Sequence, residues 1–230
     1  MSIAARAERR GRPWIMRVVD LGRMAYRKAW AVQEDAHANV LTGDEEMLLI
    51  VEHPAVITLG RRGSAIENLI SSQQRLEEAG IELVQSDRGG DITLHSPGQI
   101  VAYPIIRLVS HKLSVGGYVH RLESAVIEML GELGICGFTD PKAVGVWVRH
   151  QRGSAKICAI GVRIKRGVSM HGLALNVDND LGLFNHIVPC GLADKSVTSV
   201  AELLGDRAPG MEEVKSALVS CLARAFGKGD

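Results

Sequence analysis

The chain lacks the short motifs that identify many enzyme classes from a single sequence. It contains no G-x-G-x-x-G or G-x-x-x-x-G-K-[ST] loop, no G-x-S-x-G turn and no H-E-x-x-H helix. Its four cysteines form no C-x-x-C pair, and its eight histidines show no zinc-ligand spacing. Metal and dinucleotide chemistry are therefore disfavoured, and we expect no metal and no cofactor.

An excess of charge of one sign is also lacking. Lys and Arg number 27 and Asp and Glu 26, which gives a formal net charge of +1. This balance does not support binding to nucleic acid or to a membrane surface. No apolar run approaches the roughly 18 residues that a membrane span needs. We expect neither nucleic acid nor membrane as a partner.

A secretory signal is missing as well. Residues 1–12 are rich in Arg and Ala but have no apolar core. We interpret residues 1–13 as a flexible tail, with a transit peptide as the alternative. Without a secretory signal, we expect a cytoplasmic location and free thiols in the cysteines.

The remaining 217 positions, 14–230 of the 230, suit one domain with a packed core, since 46% of residues are hydrophobic. Apolar spacing predicts helices over 23–41, 72–79, 114–133 and 212–226. Strands are predicted over 14–19, 47–51, 56–59, 81–85, 144–149, 156–164 and 168–177. The strands come in clusters, which favours an α+β fold with a mixed sheet. A small C-terminal subdomain from about residue 178 fits the irregular composition there.

Residues 88–105 are the stretch around which the site is predicted. They begin with Arg88, Gly89 and Gly90 and pass through a Ser-Pro-Gly turn into a second apolar run. Paired glycines permit a close backbone approach, and Pro-Gly is a turn signal. We predict a strand, a sharp turn and a strand, with Arg88 and His95 at the two ends of the first piece. The simpler alternative is an ordinary hairpin with an exposed arginine and a packed histidine.

Two side chains stand apart from their surroundings. Cys190 lies between Pro189 and Gly191, a setting that presents a side chain on a tight turn, whereas the other three cysteines fit small buried hydrophobic positions. Lys156 begins an otherwise apolar strand. The structural alternatives are a buried thiol and a solvated lysine.

The order of several motifs resembles that of the lipoyl(octanoyl) transferases. The matching segments, which run through most of the chain, are 52–54 (Glu-His-Pro), 58–61 (Thr-Leu-Gly-Arg), 88–99, 103–105 (Tyr-Pro-Ile), 156–164, 171–177 and 189–192 (Pro-Cys-Gly-Leu). Leu94 and Ser96 depart from the family pattern, which usually has Tyr and Gly there. We expect Leu94 to remove a hydroxyl from the pocket wall and Ser96 to make the following turn less permissive.

The resemblance implies a mixed sheet flanked by helices, like that of biotin and lipoate protein ligases. It implies an acyltransferase that moves an octanoyl group from acyl carrier protein to a lysine of lipoyl domains or of the glycine cleavage H protein. Cys190 would be the nucleophile and Lys156 its acid/base partner. The implied substrate-binding residues are Arg88, Gly89, Gly90, Asp91, Ile92, Thr93, Leu94, His95, Ala159, Ile160, Gly161, Gly172, Leu173 and Ala174.

Three other functions remain open at the level of the sequence. An ATP-dependent lipoate or biotin protein ligase would need no nucleophilic cysteine. A non-catalytic binder of acyl carriers or lipoyl domains would tolerate loss of Cys190 and Lys156. A thioesterase would share the acyl-enzyme but use water as its acceptor.

Overall fold

The structure is a computed structural model, which describes residues 16–63, 65–150, 153–188 and 196–227. The predicted tail over residues 1–13 lies outside these ranges, as does the 189–192 motif with Cys190.

Helices and strands alternate irregularly along the chain, as expected for an α+β fold. The α-helices are α1 (Tyr26–Thr42), α2 (Gln73–Glu78), α3 (Val115–Glu132), α4 (Val200–Leu204) and α5 (Met211–Phe226). The strands are β1 (Arg17–Arg23), β2 (Met47–Glu52), β3 (Val56–Leu59), β4 (Glu82–Gln85), β5 (Ile92–His95), β6 (Gln99–Ile105), β7 (Gly137–Asp140), β8 (Ala143–His150), β9 (Gly153–Lys165), β10 (Val168–Asn176) and β11 (Ser196–Val197). Short 3-10 helices cover Ala65–Asn68, Leu108–His111 and Leu181–His186.

Two sheets organise the described residues. The larger has the order β1-β2-β6-β10-β9-β8-β7, with β11 paired to β9, and the smaller has the order β4-β3-β5. Strands β1 and β2 are parallel whereas β2 and β6 are antiparallel, so the large sheet is mixed, as predicted.

The stretch around residues 88–105 is a strand, a turn and a strand, and it is not a hairpin. Strand β5 pairs with β3 in the small sheet, while β6 pairs with β2 and β10 in the large one. The turn between them therefore carries the chain from one sheet to the other. Gly98 within it has a φ of +89° and leaves no room for a Cβ, which would lie 2.5 Å from the Asn179 nitrogen.

Helices cover both faces of the large sheet. Leu122 and Val126 of α3 and Leu218 and Leu222 of α5 pack on one face, in the same core cluster as Leu48. Residues Ala29, Ala36 and Val40 of α1 pack on the other face. A sheet buried on both sides needs continuous apolar strands, which explains the uninterrupted run in β2.

Cap residues stabilise the ends of three helices. Ser72 and Ser114 accept hydrogen bonds from the backbone N–H groups of Arg75 and Gly117 at the first turns of α2 and α3. Gly43 ends α1 in the left-handed conformation, with a φ of 103°. Strands β7 and β11 and helix α4 were not predicted, because each is too short to show a hydrophobic period.

The C-terminal part of the chain shares the main core. Val200 of α4 and Val214, Cys221 and Phe226 of α5 belong to the same buried cluster as α3. In the described part of the chain, no helix has the length and apolar character needed to cross a membrane.

Candidate functional site

A cavity of about 470 Å³ lies between the segment 88–95, strands β9 and β10, and helix α1. Fourteen of the predicted site residues line it: Arg88, Gly89, Gly90, Asp91, Ile92, Thr93, His95, Lys156, Ala159, Ile160, Gly161, Gly172, Leu173 and Ala174. The sequence therefore located residues that are distant along the chain but adjacent in space.

Leu94 does not belong to this wall. Its side chain is completely buried in an apolar cluster with Ile57, Leu76 and Phe184. Neighbouring side chains of a strand point to opposite faces, so His95 lines the cavity while Leu94 packs behind it. The expectation that Leu94 removes a hydroxyl from the pocket wall is wrong.

Close contact between two backbone segments brings Arg88 to the cavity. The Gly89 N–H donates to the Val162 carbonyl over 2.9 Å, which joins this loop to β9. A Cβ on Gly161 would lie 2.9 Å from the Gly89 oxygen, and a Cβ on Gly89 would lie 2.9 Å from the Val162 oxygen. Both positions require glycine because the chains approach so closely.

Arg88 is buried, contrary to the hairpin alternative. Its Nη2 donates to the Thr58 carbonyl over 2.6 Å and to the Thr58 hydroxyl over 2.9 Å, and its Nε also donates to that hydroxyl over 3.1 Å. These bonds hold a guanidinium at the cavity wall.

Lys156 is also buried, although lysine at a strand end is usually solvated. Its Nζ donates to the Val144 carbonyl over 3.0 Å and lies 4.7 Å from the centre of the Trp147 ring. A carbonyl oxygen and an aromatic face both stabilise an ammonium group. The lysine is thus oriented at the cavity by the neighbouring strand β8.

A cluster of aromatic and imidazole rings, which we name the polar floor, consists of Tyr26, His95, Tyr103 and His171, which line the cavity, and of the completely buried His53, which contacts Tyr103. The Tyr26 ring is nearly parallel to the rings of His95 and His171, with its centre 5.9 and 6.5 Å from theirs. Its hydroxyl is 2.8 Å from the Ser86 hydroxyl. The His53 Nδ1 donates to the Met24 carbonyl over 2.7 Å, and its Nε2 is 2.8 Å from the Tyr103 hydroxyl.

Sequence reasoning did not name Tyr26, and it placed Tyr103 and His171 in matching segments without giving either of them a role. The chain has only three tyrosines, and that scarcity was the available signal for Tyr26. Tyr26 belongs to α1, far from any recognised motif, and only packing brings it to the cavity.

Burial keeps the imidazoles of the floor neutral. It lowers the pKa of His53, and it lowers that of His95 well below its ordinary value, assisted by the nearby His53 and Arg88. The pKa of His171 falls to about 3, mainly through burial and also through Arg88 and Arg163. Desolvation disfavours the charged form of each ring, so none of the three imidazoles is positively charged near neutral pH.

His171 has an unusual backbone as well. Its φ of 56° is rare for a residue with a side chain. The Gln33 side chain accepts from its N–H over 2.7 Å, and its Nε2 is 2.7 Å from Asp87, which also pairs with Arg163. Several contacts thus hold a strained residue at the cavity wall.

Residues 189–195 lie outside the described ranges, and Cys190 with them. The described residues on either side are linked to the cavity wall, Val188 through Asn68 and Val197 through Lys156. Val188 N–H donates to the Asn68 carbonyl over 2.8 Å, and the Asn68 amide donates to Asp91 over 2.9 Å. On the other side, Val197 pairs with Lys156.

The remaining cysteines differ in exposure. Cys158 and Cys221 are buried, as expected, and burial raises their thiol pKa values to about 12 and about 11. Cys136 is exposed, and the expectation of a buried position is wrong there.

One group of metal-ligand type occurs among the described residues, away from the cavity. It consists of Glu128, Glu132 and Cys221. Arg224 donates to all three, at 2.9, 2.8 and 3.0 Å, so a cation already occupies the position that a metal would take. The cluster is a surface ion-pair network.

The family model for the lipoyl protein ligase A/B catalytic domain matches residues 25–223. The chain belongs to this family. An octanoyltransferase of Chloroflexus aurantiacus is 47% identical over 208 residues, which cover 90% of this chain and 92% of that protein. An octanoyltransferase of Solibacter usitatus is 48% identical over 207 residues, with 90% of each chain covered.

Solved structures confirm the family fold. A lipoate-protein ligase A bound with ATP superposes with a TM-score of 0.75 at 18% identity, over 92% of this chain and 85% of that one. A biotin protein ligase of Aquifex aeolicus, in complex with biotin and ATP, gives a TM-score of 0.52 at 11% identity, over 91% and 69%. The predicted biotin and lipoate protein ligase-like fold is correct.

Proposed function

We propose that this member of the lipoyl protein ligase A/B catalytic domain family is an octanoyltransferase in protein lipoylation. The observation that carries the proposal is the 45–48% identity to proteins named octanoyltransferase. The cavity supports it, because Lys156 and the glycine-rich segments of the resemblance meet around one space.

Cys190 is the proposed nucleophile and Lys156 its acid/base partner. An amine is a stronger base than a thiolate in water, so a lysine side chain can take the thiol proton. The resulting thiolate attacks the octanoyl thioester, the carrier sulfur leaves, and that sulfur receives the proton from Lys156. This exchange replaces one thioester by another, so it consumes no ATP.

The second half-reaction forms an amide. The acceptor lysine attacks as a neutral amine, the Cys190 sulfur leaves, and the proton released by the amine ends on that sulfur. Protons therefore balance, and the enzyme returns to its initial state.

The proposed donor is octanoyl-acyl carrier protein. The proposed acceptors are lipoyl domains of 2-oxoacid dehydrogenase subunits and the glycine cleavage H protein. The proposed acyl and carrier-arm site consists of the segments that line the cavity, 88–93, His95, 159–161 and 172–174.

An ATP-dependent lipoate ligase is the second candidate. The superposition on a ligase bound with ATP is the observation in its favour, although at 18% identity it concerns the fold alone. The sequence relatives, at more than twice that identity, favour transfer.

Intact-protein mass spectrometry after mixing with octanoyl-acyl carrier protein, without ATP or acceptor, tests this function. We expect one added octanoyl group that hydroxylamine removes. The Cys190→Ser protein should form no hydroxylamine-labile adduct. Cys136→Ser is the matched control, because Cys136 is an exposed thiol outside the cavity lining, and it should be acylated like the wild type.

Two results would contradict the proposal. Octanoylation of an acceptor only with ATP and free octanoate would make the protein a ligase. An acyl-enzyme that loses its group to water at the same rate with and without acceptor would make it a thioesterase.

A further inference from the structure

Below the cavity, a chain of side-chain hydrogen bonds ends at His95. Gln99 and Asn176 are directly opposite each other in the β6–β10 pair, so their side chains share one face of the sheet. The Gln99 Nε2 is 2.8 Å from the Asn176 Oδ1, and both side chains are buried. The Gln99 Oε1 is 3.3 Å from the His95 Nδ1.

Backbone carbonyls determine which way both amides face. The Asn176 Nδ2 donates to the Thr198 carbonyl over 2.9 Å, which leaves Oδ1 toward Gln99. The Gln99 Nε2 donates to that oxygen and to the Leu94 carbonyl over 3.2 Å. Carbonyl oxygens only accept, so neither amide can be reversed without losing these bonds.

The position of the His95 proton follows. Because the Gln99 Oε1 faces the ring and only accepts, the His95 Nδ1 must donate. Burial keeps this ring neutral, so Nε2 carries a lone pair and no proton. Nε2 has no hydrogen-bond partner in the part of the chain that the structure describes, while the ring lines the cavity.

We propose that Gln99 and Asn176 are positioning residues, which hold His95 with its proton on Nδ1 so that Nε2 accepts a hydrogen bond from a substrate N–H group. This inference rests on the acyl transfer proposed above. The network also reaches the other side of the site, because the Thr198 N–H donates to the Lys156 carbonyl over 3.0 Å. One hydrogen-bond network thus connects His95 to the strand that carries Lys156.

Two substrate groups supply an N–H donor. The thiol arm of the acyl carrier contains amide N–H groups, and the attacking lysine of the acceptor is an amine. Both offer the same chemistry to an imidazole lone pair, and they act in different half-reactions.

Nitrogen-15 NMR of the histidine rings tests the proton position without any substrate. We expect wild-type His95, identified from its missing signals in His95→Gln, to be neutral with the proton on Nδ1 at pH values on both sides of the ordinary histidine pKa of about 6.5. A proton on Nε2 in the wild type would overturn the proposal.

Gln99→Met removes the acceptor while preserving the side-chain length. We expect the His95 proton to redistribute toward Nε2. Gln33→Met is the matched control, since Gln33 is also fully buried but accepts from the backbone of His171. It should leave the proton of His95 on Nδ1.

Separate rates for the two half-reactions identify which substrate group donates the N–H hydrogen bond to His95. Acylation of Cys190 and octanoyl transfer to the acceptor are timed separately by mass spectrometry for wild type and Gln99→Met. We expect a slowing of roughly fivefold, the factor for one neutral hydrogen bond. Slower acylation assigns the donor to the carrier arm, slower transfer assigns it to the acceptor amine, and no slowing of either overturns the proposal.

Failure of the proposed function gives a different result. A wild-type protein that forms no acyl-enzyme refutes the transferase, whereas the NMR result for His95 stands independently of it.

Discussion

Strand β6 has two faces that are buried in different ways. Ile100 and Ala102 point into the apolar core beneath α3 and α5. Gln99 and Tyr103 point to the other face, where they contact Asn176 and His53. On the first face stability comes from close apolar packing, whereas the second face combines apolar packing against α1 with polar side chains that need hydrogen-bond partners. The same strand therefore supports the core with one face and the candidate site with the other.

This difference predicts which changes affect activity and which affect folding. Changes around the cavity should lower activity more than stability, and changes in the core beneath α5 should do the reverse.

Lys156→Met should have the largest effect. General acid–base groups contribute about 10²–10⁴-fold to rate, and we expect acyl-enzyme formation to slow by a factor in that range. Lys165→Met, at the exposed end of the same strand, is the control and should react at the wild-type rate. Mass spectrometry of samples quenched at successive times provides both rates. Equal rates in the two variants would show that Lys156 takes no part in acyl-enzyme formation.

Leu222→Ala should mainly reduce stability. Leu222 is fully buried in the core cluster, and such truncations cost about 2–5 kcal/mol. Urea unfolding measures this loss, while the acylation rate per folded molecule should stay unchanged. Val109→Ala, at a position that is 74% exposed, should alter the free energy of unfolding by less than about 0.5 kcal/mol. A comparable loss in both variants would contradict the assignment of the core.

His171 should make stability depend on pH. Its pKa is about 3 when folded, against an ordinary value of 6.5. Between these values the unfolded chain binds a proton that the folded chain does not, so stability is present above the ordinary value and falls as the pH is lowered. From about pH 8 to about pH 5 the share due to His171 is about 2 kcal/mol.

The free energy of unfolding is measured in urea at both pH values for wild type and for His171→Gln. The difference between the two proteins in its pH dependence isolates the share due to His171. His53 and His95 act in the same direction and remain in both proteins. His120→Gln changes an exposed histidine of α3 and should retain the full pH dependence. An unchanged dependence in His171→Gln would show that this ring is charged or exposed in solution.

Periodicity and turn chemistry predicted most of the architecture. The run in β2, the stripe on α3 and the caps at Ser72, Ser114 and Gly43 depend on neighbours within a few residues, so the sequence contains them directly. The pairing of β5 with β3 instead of β6 could not be predicted, because the choice of partner depends on packing between segments distant in the chain.

In the candidate site too, some features could be predicted from the sequence and others only from the tertiary structure. The sequence alone placed Arg88, Lys156, Gly161 and Gly172 in segments whose order resembles that of the lipoyl(octanoyl) transferases, since motif order is a property of the chain. Tertiary structure alone decided that Tyr26 of α1 joins the floor, that Leu94 is excluded from the wall, and that hydrogen bonds link Asn176 to Gln99 and Gln99 to His95. The physical reason is that burial, strand register and hydrogen-bond direction are set by contacts across the sheet, which no local pattern encodes.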